Sequence, residues 1–259
     1  MKGVYFFHET YESLPPLFYK SGHAQKIYNV ACDFFKIEKC DIEKLVQDEI
    51  YIGKNFFNQN VFTFLNSLIK FYNEEVEKKI EIVAGYSSGE IASLVVANVI
   101  SLKDGLKIII TRTKEIEKIQ KKINASSIVV KELLSKEVNK ICQETYDLIW
   151  VSAINSKDEV IITGTTSGVS FLKEKSFKKN DSFKSFGVHT PIMHHAETSL
   201  QKIIDKISFK EPIYSIYQNF TGKKSLSVDE IKSNLKKQLT SPIRWEELNL
   251  NLEKDLKSE

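Results

Sequence analysis

The sequence predicts an α/β protein, a larger domain interrupted by a smaller one. Three observations carry this prediction. Short runs rich in β-branched residues alternate with longer stretches of helical apolar spacing. One such run, Ile80–Ala84, leads directly into Gly85-Tyr86-Ser87-Ser88-Gly89 and then into an apolar helical stretch. Beyond residue 123 the texture changes to short strand-like segments set between amphipathic helices.

The elements follow in order. Val4–Phe7 is a short apolar run bounded by polar residues and predicts a buried strand. His23–Phe35 and Val61–Tyr72 predict helices; in the second, Phe62, Leu65, Leu68, Ile69 and Tyr72 recur at helical spacing. Ile80–Ala84 predicts a strand, Ile91–Ile100 a helix, and Leu102–Ile119 a long helix with Asp104 in its first turn. Ser127–Val130, Leu148–Ala153 and Glu159–Thr163 read as strands, with helices over Lys131–Thr145 and Thr166–Lys175 and a closing strand near Ser182–Val188. This β-α-β-β-α-β order predicts a ferredoxin-like unit inserted over residues 124–188, within a larger domain formed by 1–123 and 189–259. Helices follow at Pro191–Ile207 and Val228–Leu239, around a strand at Pro212–Tyr217. A Lys/Glu-rich tail ends the chain. The polar stretch Ser176–Ser182 reads as a mobile loop.

Composition narrows the function classes. At 42% hydrophobic residues and five prolines, a chain of 259 residues carries a sizeable core. With 37 Lys and Arg against 34 Asp and Glu, the net charge is +3 and the charges are mixed. That balance argues against nucleic acid or an anionic membrane as partner. Cys32, Cys40 and Cys142 form no C-x-x-C pair, so zinc is not expected, and a reduced cytoplasmic protein is the simplest reading. The apolar stretch at the N-terminus is too short for a signal peptide. The longest apolar run, Ile91–Leu102, is broken by Ser93, Asn98 and Ser101 and falls short of a bilayer span.

The strand–Gly85-x-Ser87-x-Gly89–helix segment carries the chemistry. A sharp strand-to-helix turn needs small neighbours, and it exposes a hydroxyl where helix N–H groups favour developing negative charge. The alternative is a plain glycine-rich turn. A nucleophilic serine needs a base, and His8, His23, His189, His194 and His195 are available. Periodicity does not choose among them. His189 lies on a loop before Pro191, where catalytic groups are often carried.

The segment Gly85-Tyr86-Ser87-Ser88-Gly89-Glu90 resembles the G-H-S-x-G-E motif of malonyl-CoA:acyl-carrier-protein transacylases, the acyltransferases of fatty acid and polyketide synthesis. The family's arginine twenty-five residues after the serine matches Arg112. Its A-x-N-S-P-x-x-V-V-I-x-G stretch is echoed by Ala153-Ile154-Asn155-Ser156 through Gly164. Its H-S-x-x-M segment is echoed by His189-Thr190-Pro191-Ile192-Met193, and its Q-L-x-x-P-V-x-W by Gln238-Leu239-Thr240-Ser241-Pro242-Ile243-Arg244-Trp245. The family's G-Q-G-S-Q loop is replaced by a stretch without glycine, in which Thr10 faces its first glutamine. The histidine before the serine is Tyr86, and the closing G-P-G segment has no counterpart.

The resemblance implies an α/β-hydrolase-like large domain with an inserted ferredoxin-like small domain. It implies a serine nucleophile, Ser87, with His189 as base and the Gln238 backbone carbonyl orienting it. Thr10 and Ser88 would supply the oxyanion-hole N–H groups. Arg112, Tyr86 and Asn155 would line the substrate site. A malonyl-type group would move from coenzyme A to the phosphopantetheine thiol of an acyl carrier protein through an acyl-serine, with no permanently bound cofactor. The other readings are an acyl hydrolase acting on carrier proteins and a catalytically silent docking module; Arg112 speaks against the hydrolase.

Overall fold

The computed structural model describes residues 3–8, 16–35, 56–74, 80–131, 133–145, 148–175 and 182–258. The chain divides into two compact units. The first contains Met1–Thr113, Ile203–Tyr217 and Ser225–Val228; the second contains Lys114–Lys202, Gln218–Lys224 and Asp229–Glu259.

In the first unit, β1 (Gly3–Phe7), β2 (Ile80–Gly85) and all but the last residue of β7 (Ser215–Gln218) run parallel, with β2 in the middle. Parallel strands are covered on both faces, so β2 reads as a continuous apolar run; Ile82, Val83 and Ala84 are all buried. The helix Phe56–Glu74 buries Phe64, Leu65, Leu68, Ile69 and Phe71. The Phe71 ring meets Tyr5 edge-on at 5.0 Å and lies 5.7 Å from Phe7, fastening that helix to β1.

The helix after β2 spans Gly89–Val96 and stops short of the expected Ile100. Asn98 has a φ of 60°, its N–H donates to Val95 O at 3.0 Å, and the Val99 N–H donates to Leu94 O at 2.9 Å. This is a Schellman ending with asparagine in the left-handed position, a role that glycine usually fills. The helix Leu102–Gln120 then starts with Ser101 Oγ accepting the Asp104 N–H at 3.1 Å.

The second unit holds β3 (Ala125–Lys131), β4 (Ile149–Ser156), β5 (Glu159–Thr165) and β6 (Ser182–Ser185), with helices Ser135–Gln143 and Thr166–Lys175. The strands lie in the order β6-β3-β5-β4 with antiparallel neighbours, the arrangement of a ferredoxin-like unit. Ile128, Val130, Ile149, Val151, Val160 and Ile162 form one face of the sheet. Val138, Cys142, Val169 and Leu172 of the two helices pack on it. On alternate positions, Ser127 Oγ lies 2.6 Å from Thr163 Oγ1, which lies 2.7 Å from Ser152 Oγ. The two-residue strand β8 (Lys223–Lys224) precedes the helix Val228–Lys237, and β9 (Ile243–Arg244) adds to β4 in parallel.

Two expectations change in this part of the chain. The helix expected over Val228–Leu239 ends at Lys237 and tightens into a 3-10 turn, Gln238–Thr240. The residues expected as a tail form a helix, Trp245–Lys257, which buries Leu248 and Leu252 one turn apart. Its dense charge hides a narrow apolar stripe, and Asn251 Nδ2 donates to Gly222 O at 2.8 Å from the same helix. The loop expected at Ser176–Ser182 lies, up to residue 181, outside the described residues.

Candidate active site

The turn between β2 and the next helix is built by its glycines. A Cβ on Gly85 would stand 2.1 Å from the Gly89 carbonyl carbon, and one on Gly89 would stand 2.3 Å from the Phe7 carbonyl oxygen. Neither position accepts a side chain, because the chain doubles back against itself and against the end of β1. The Tyr86 N–H donates to Phe7 O at 2.9 Å and ties the turn to that strand. Ser87, between them, has a φ of 52°. A serine in the left-handed region is strained, and such strain concentrates at functional positions. Ser88 stands at the N-cap position of the helix Gly89–Val96 without a side-chain capping bond, and its backbone N–H makes no hydrogen bond among the described residues.

Arg112 reaches this serine from the helix Leu102–Gln120. Ile108, Arg112 and Ile116 lie four residues apart, and all are buried, so the guanidinium rides on an inward-facing stripe. Its Nη2 donates to Ser87 Oγ at 3.0 Å, and Arg112 is only 4% exposed. A desolvated guanidinium offers a strong, directional site for a carboxylate.

His189 belongs to the second unit and is held by two consecutive carbonyls. Its backbone N–H donates to Leu239 O at 2.8 Å, and its Nδ1 lies 2.9 Å from Gln238 O. A carbonyl accepts only, so this contact places the proton on Nδ1 and leaves Nε2 as the basic nitrogen. The loop that presents His189 turns sharply: Gly187 has a φ of 73° and His189 one of 63°. Thr190 Oγ1 donates to Gly187 O at 2.6 Å across it.

The remaining candidates are placed as follows. Tyr86 is half-buried beside the serine. Asn155 lies on the hairpin of β4 and β5, where its Nδ2 donates to Glu159 Oε1 at 3.0 Å. Thr10 lies outside the described residues. Leu239, whose carbonyl holds the His189 backbone, was not marked by sequence reasoning; a backbone acceptor leaves no residue-type signal. His194 is 75% exposed at its side chain. Among the described residues no cluster of His, Cys, Asp and Glu is arranged to hold a metal ion, and no helix is long and apolar enough to cross a membrane.

The family model for the acyl transferase domain matches residues 78–256, more than half of the chain. The chain belongs to the acyl transferase domain family. The match runs from the β2 approach to Ser87 through to the C-terminal helix of this acyl transferase. Among its relatives is the malonyl CoA-acyl carrier protein transacylase of Buchnera aphidicola subsp. Baizongia pistaciae (strain Bp), 26% identical over 260 residues, spanning 94% of this chain and 80% of that protein. The enzyme of the same name from Buchnera aphidicola subsp. Schizaphis graminum (strain Sg) is 26% identical over 254 residues, covering 88% and 81%. The fold is shared with the malonyl CoA-acyl carrier protein transacylase of Coxiella burnetii, at a TM-score of 0.84 and 19% identity over 97% of this chain and 83% of that one. A malonyl-transacylase solved with its type II polyketide-synthase acyl-carrier protein superimposes at a TM-score of 0.82 and 20% identity, covering 100% and 86%.

Proposed function

We propose that this acyl transferase moves a malonyl group from coenzyme A to the phosphopantetheine thiol of an acyl carrier protein. The observation that carries the reading is the 3.0 Å contact between Arg112 Nη2 and Ser87 Oγ on a strained turn. In a malonyl thioester the carboxylate stands two C–C bonds, each about 1.5 Å, from the carbonyl under attack. A guanidinium that reaches the nucleophile itself therefore reaches that carboxylate while the serine attacks. An acetyl group offers it nothing. The malonyl CoA-acyl carrier protein transacylases among the relatives support the same substrate and the same acceptor.

The steps follow from the chain's own groups. Ser87 Oγ attacks the thioester carbonyl, and His189 Nε2 takes the hydroxyl proton. The negative charge on the carbonyl oxygen is stabilised by the Ser88 N–H at the helix start, with the Thr10 N–H as second donor. The C–S bond breaks, and coenzyme A leaves as a thiol carrying the proton from His189. The carrier thiol then gives its proton to His189 and attacks the acyl-serine, and Ser87 is restored. The Gln238 carbonyl stabilises the imidazolium formed in both halves, so no third carboxylate is needed. The thioester is already activated, and the exchange uses no permanently bound cofactor.

Tyr86 and Asn155 would line the substrate site in this reading. We infer that residues 124–188 are an inserted subdomain within a catalytic domain of 1–123 and 189–259; the run of β3 to β6 between residues 125 and 185 supports this. We place the reaction in the cytoplasm, with acyl-CoA and carrier protein as partners and neither nucleic acid nor membrane among them.

Intact-mass measurement tests the function directly. Malonyl-CoA alone should add one malonyl group to the protein, and holo carrier protein should then remove it and become malonylated. Free malonate without carrier loading would instead mark a hydrolase, and no adduct with any acyl-CoA would mark a silent relative.

A further inference from the structure

The turn that holds His189 is itself held. Gln238 and Leu239, whose carbonyls accept from the His189 ring and backbone, are the first two residues of the 3-10 turn Gln238–Thr240. The third, Thr240, donates its Oγ1–H to Glu197 Oε1 at 2.8 Å. Glu197 sits in the first turn of the helix His194–Ile204, which continues from the His189 loop. The contacts close a ring: His189 to Gln238 and Leu239, on to Thr240, across to Glu197, and back along the chain to His189. Glu197 is 12% exposed at its side chain, so this charge-assisted hydrogen bond is largely shielded from water. Its other oxygen faces His194 Nδ1 at 3.6 Å, beyond hydrogen-bond length, and leaves Oε1 to Thr240. The helix leading into the turn is pinned separately: Asn234 Nδ2 donates to Gln218 Oε1 at 3.0 Å, and Gln218 Nε2 donates to Ile231 O at 3.1 Å.

We propose that Glu197 and Thr240 are positioning residues for His189, their hydrogen bond fixing the turn whose Gln238 carbonyl keeps the imidazole proton on Nδ1. The inference rests on the reading of His189 as the base. A 3-10 turn has few internal bonds, and a carbonyl on it rotates easily unless an end is tied. Thr240 is the tied end. With the tie removed, Gln238 O swings off the ring, the other tautomer becomes populated, and the fraction of enzyme with a basic Nε2 falls. Neither residue is among those assigned to the acyl group in the proposed reaction, so the effect belongs to kcat and not to KM.

The test uses the full chain with Thr240→Val, which keeps the shape and removes the donor, and Glu197→Ala. Single-turnover acylation by malonyl-CoA should slow by about tenfold in each, the scale of a modest misplacement of a catalytic group, with KM unchanged. The double variant should be no slower than either single one, because both break one bond. Thr240→Ser and Glu197→Gln keep a donor and an acceptor, and should restore most of the rate. Long-range 15N spectra of histidine-labelled protein give the tautomer directly, with the His189 signal assigned by its loss in His189→Ala. Wild type should show the Nδ1–H form, and Thr240→Val a mixture. Wild-type rates with an unchanged ring spectrum in both Thr240→Val and Glu197→Ala would overturn the proposal. An undiminished rate in His189→Ala would overturn the base assignment itself, a separate result.

Discussion

Ser87, the proposed nucleophile, has a backbone angle that its side chain resists. A φ of 52° costs a non-glycine residue on the order of 1–3 kcal/mol, and the glycines on either side give the turn the room to impose it. Removing the hydroxyl should therefore abolish the acyl adduct without repairing the strain. Ser87→Ala and Ser87→Gly should both fail to gain mass from malonyl-CoA. The glycine variant should resist urea better than the alanine one by roughly 1 kcal/mol, since only glycine is at ease in that region. An adduct in either variant would move the nucleophile elsewhere. In the proposed reaction Arg112 is the residue that selects the acyl group. Loss of a desolvated charge partner costs roughly 2–5 kcal/mol, so Arg112→Ala should lower malonyl loading by about thirtyfold or more and leave acetyl loading steady or higher. Lysine there should recover only part, because an ammonium lacks the planar fork. A malonyl-to-acetyl ratio that does not move in Arg112→Ala would return this residue to a structural role. Both residues were legible in the sequence through motif and spacing. The 3.0 Å hydrogen bond between them was not, because it depends on how the helix Leu102–Gln120 turns its buried stripe.

At the scale of elements, the elbow is the least tolerant part of the chain. Alanine at Gly89 would press a methyl group against the Phe7 carbonyl oxygen at 2.3 Å, and at Gly85 against the Gly89 backbone at 2.1 Å. These are backbone contacts with no flexible end to give way. Gly85→Ala or Gly89→Ala should lower unfolding free energy by about 3 kcal/mol or more, the upper range of overpacking, and should remove acylation with it. Urea melts check the first effect and intact mass the second. The C-terminal helix Trp245–Lys257 carries its own test: Leu248 is fully buried, and Leu248→Ala should cost about 2–5 kcal/mol in the same melts. A change near zero would mean that this helix adds little to the fold. Element types were mostly readable from periodicity, while ends were not. Asn98 closes one helix by a left-handed cap that asparagine only sometimes adopts, and Gln238 and Leu239 leave another because their carbonyls accept from His189. The last helix was missed because its two buried leucines are outnumbered by charge.

For the molecule as a whole, the ferredoxin-like core offers a reporter. Burial pushes the Cys142 thiol up from its ordinary 9.0 to about 12, so alkylation should wait for the core to open. A thiol whose folded pKa is raised binds its proton more tightly in the native state. The stability it contributes is present below pH 9 and is lost as pH rises from about 9 towards 12. Iodoacetamide at pH 8 should modify Cys142 only in denaturant, and Cys142→Ala should flatten the alkaline fall in stability. Rapid labelling of the native protein at Cys142 would show that this core opens. Local spacing and residue type were enough to read the α/β class, the βαββαβ order, the glycine-lined turn at Ser87 and the residues gathered in its motifs. The left-handed backbone of Ser87 and His189, the reach of Arg112 to the serine, and the carbonyls that hold His189 became visible only in the folded chain. Those depend on backbone groups and on residues far apart in the chain, which meet only when the core has closed around them.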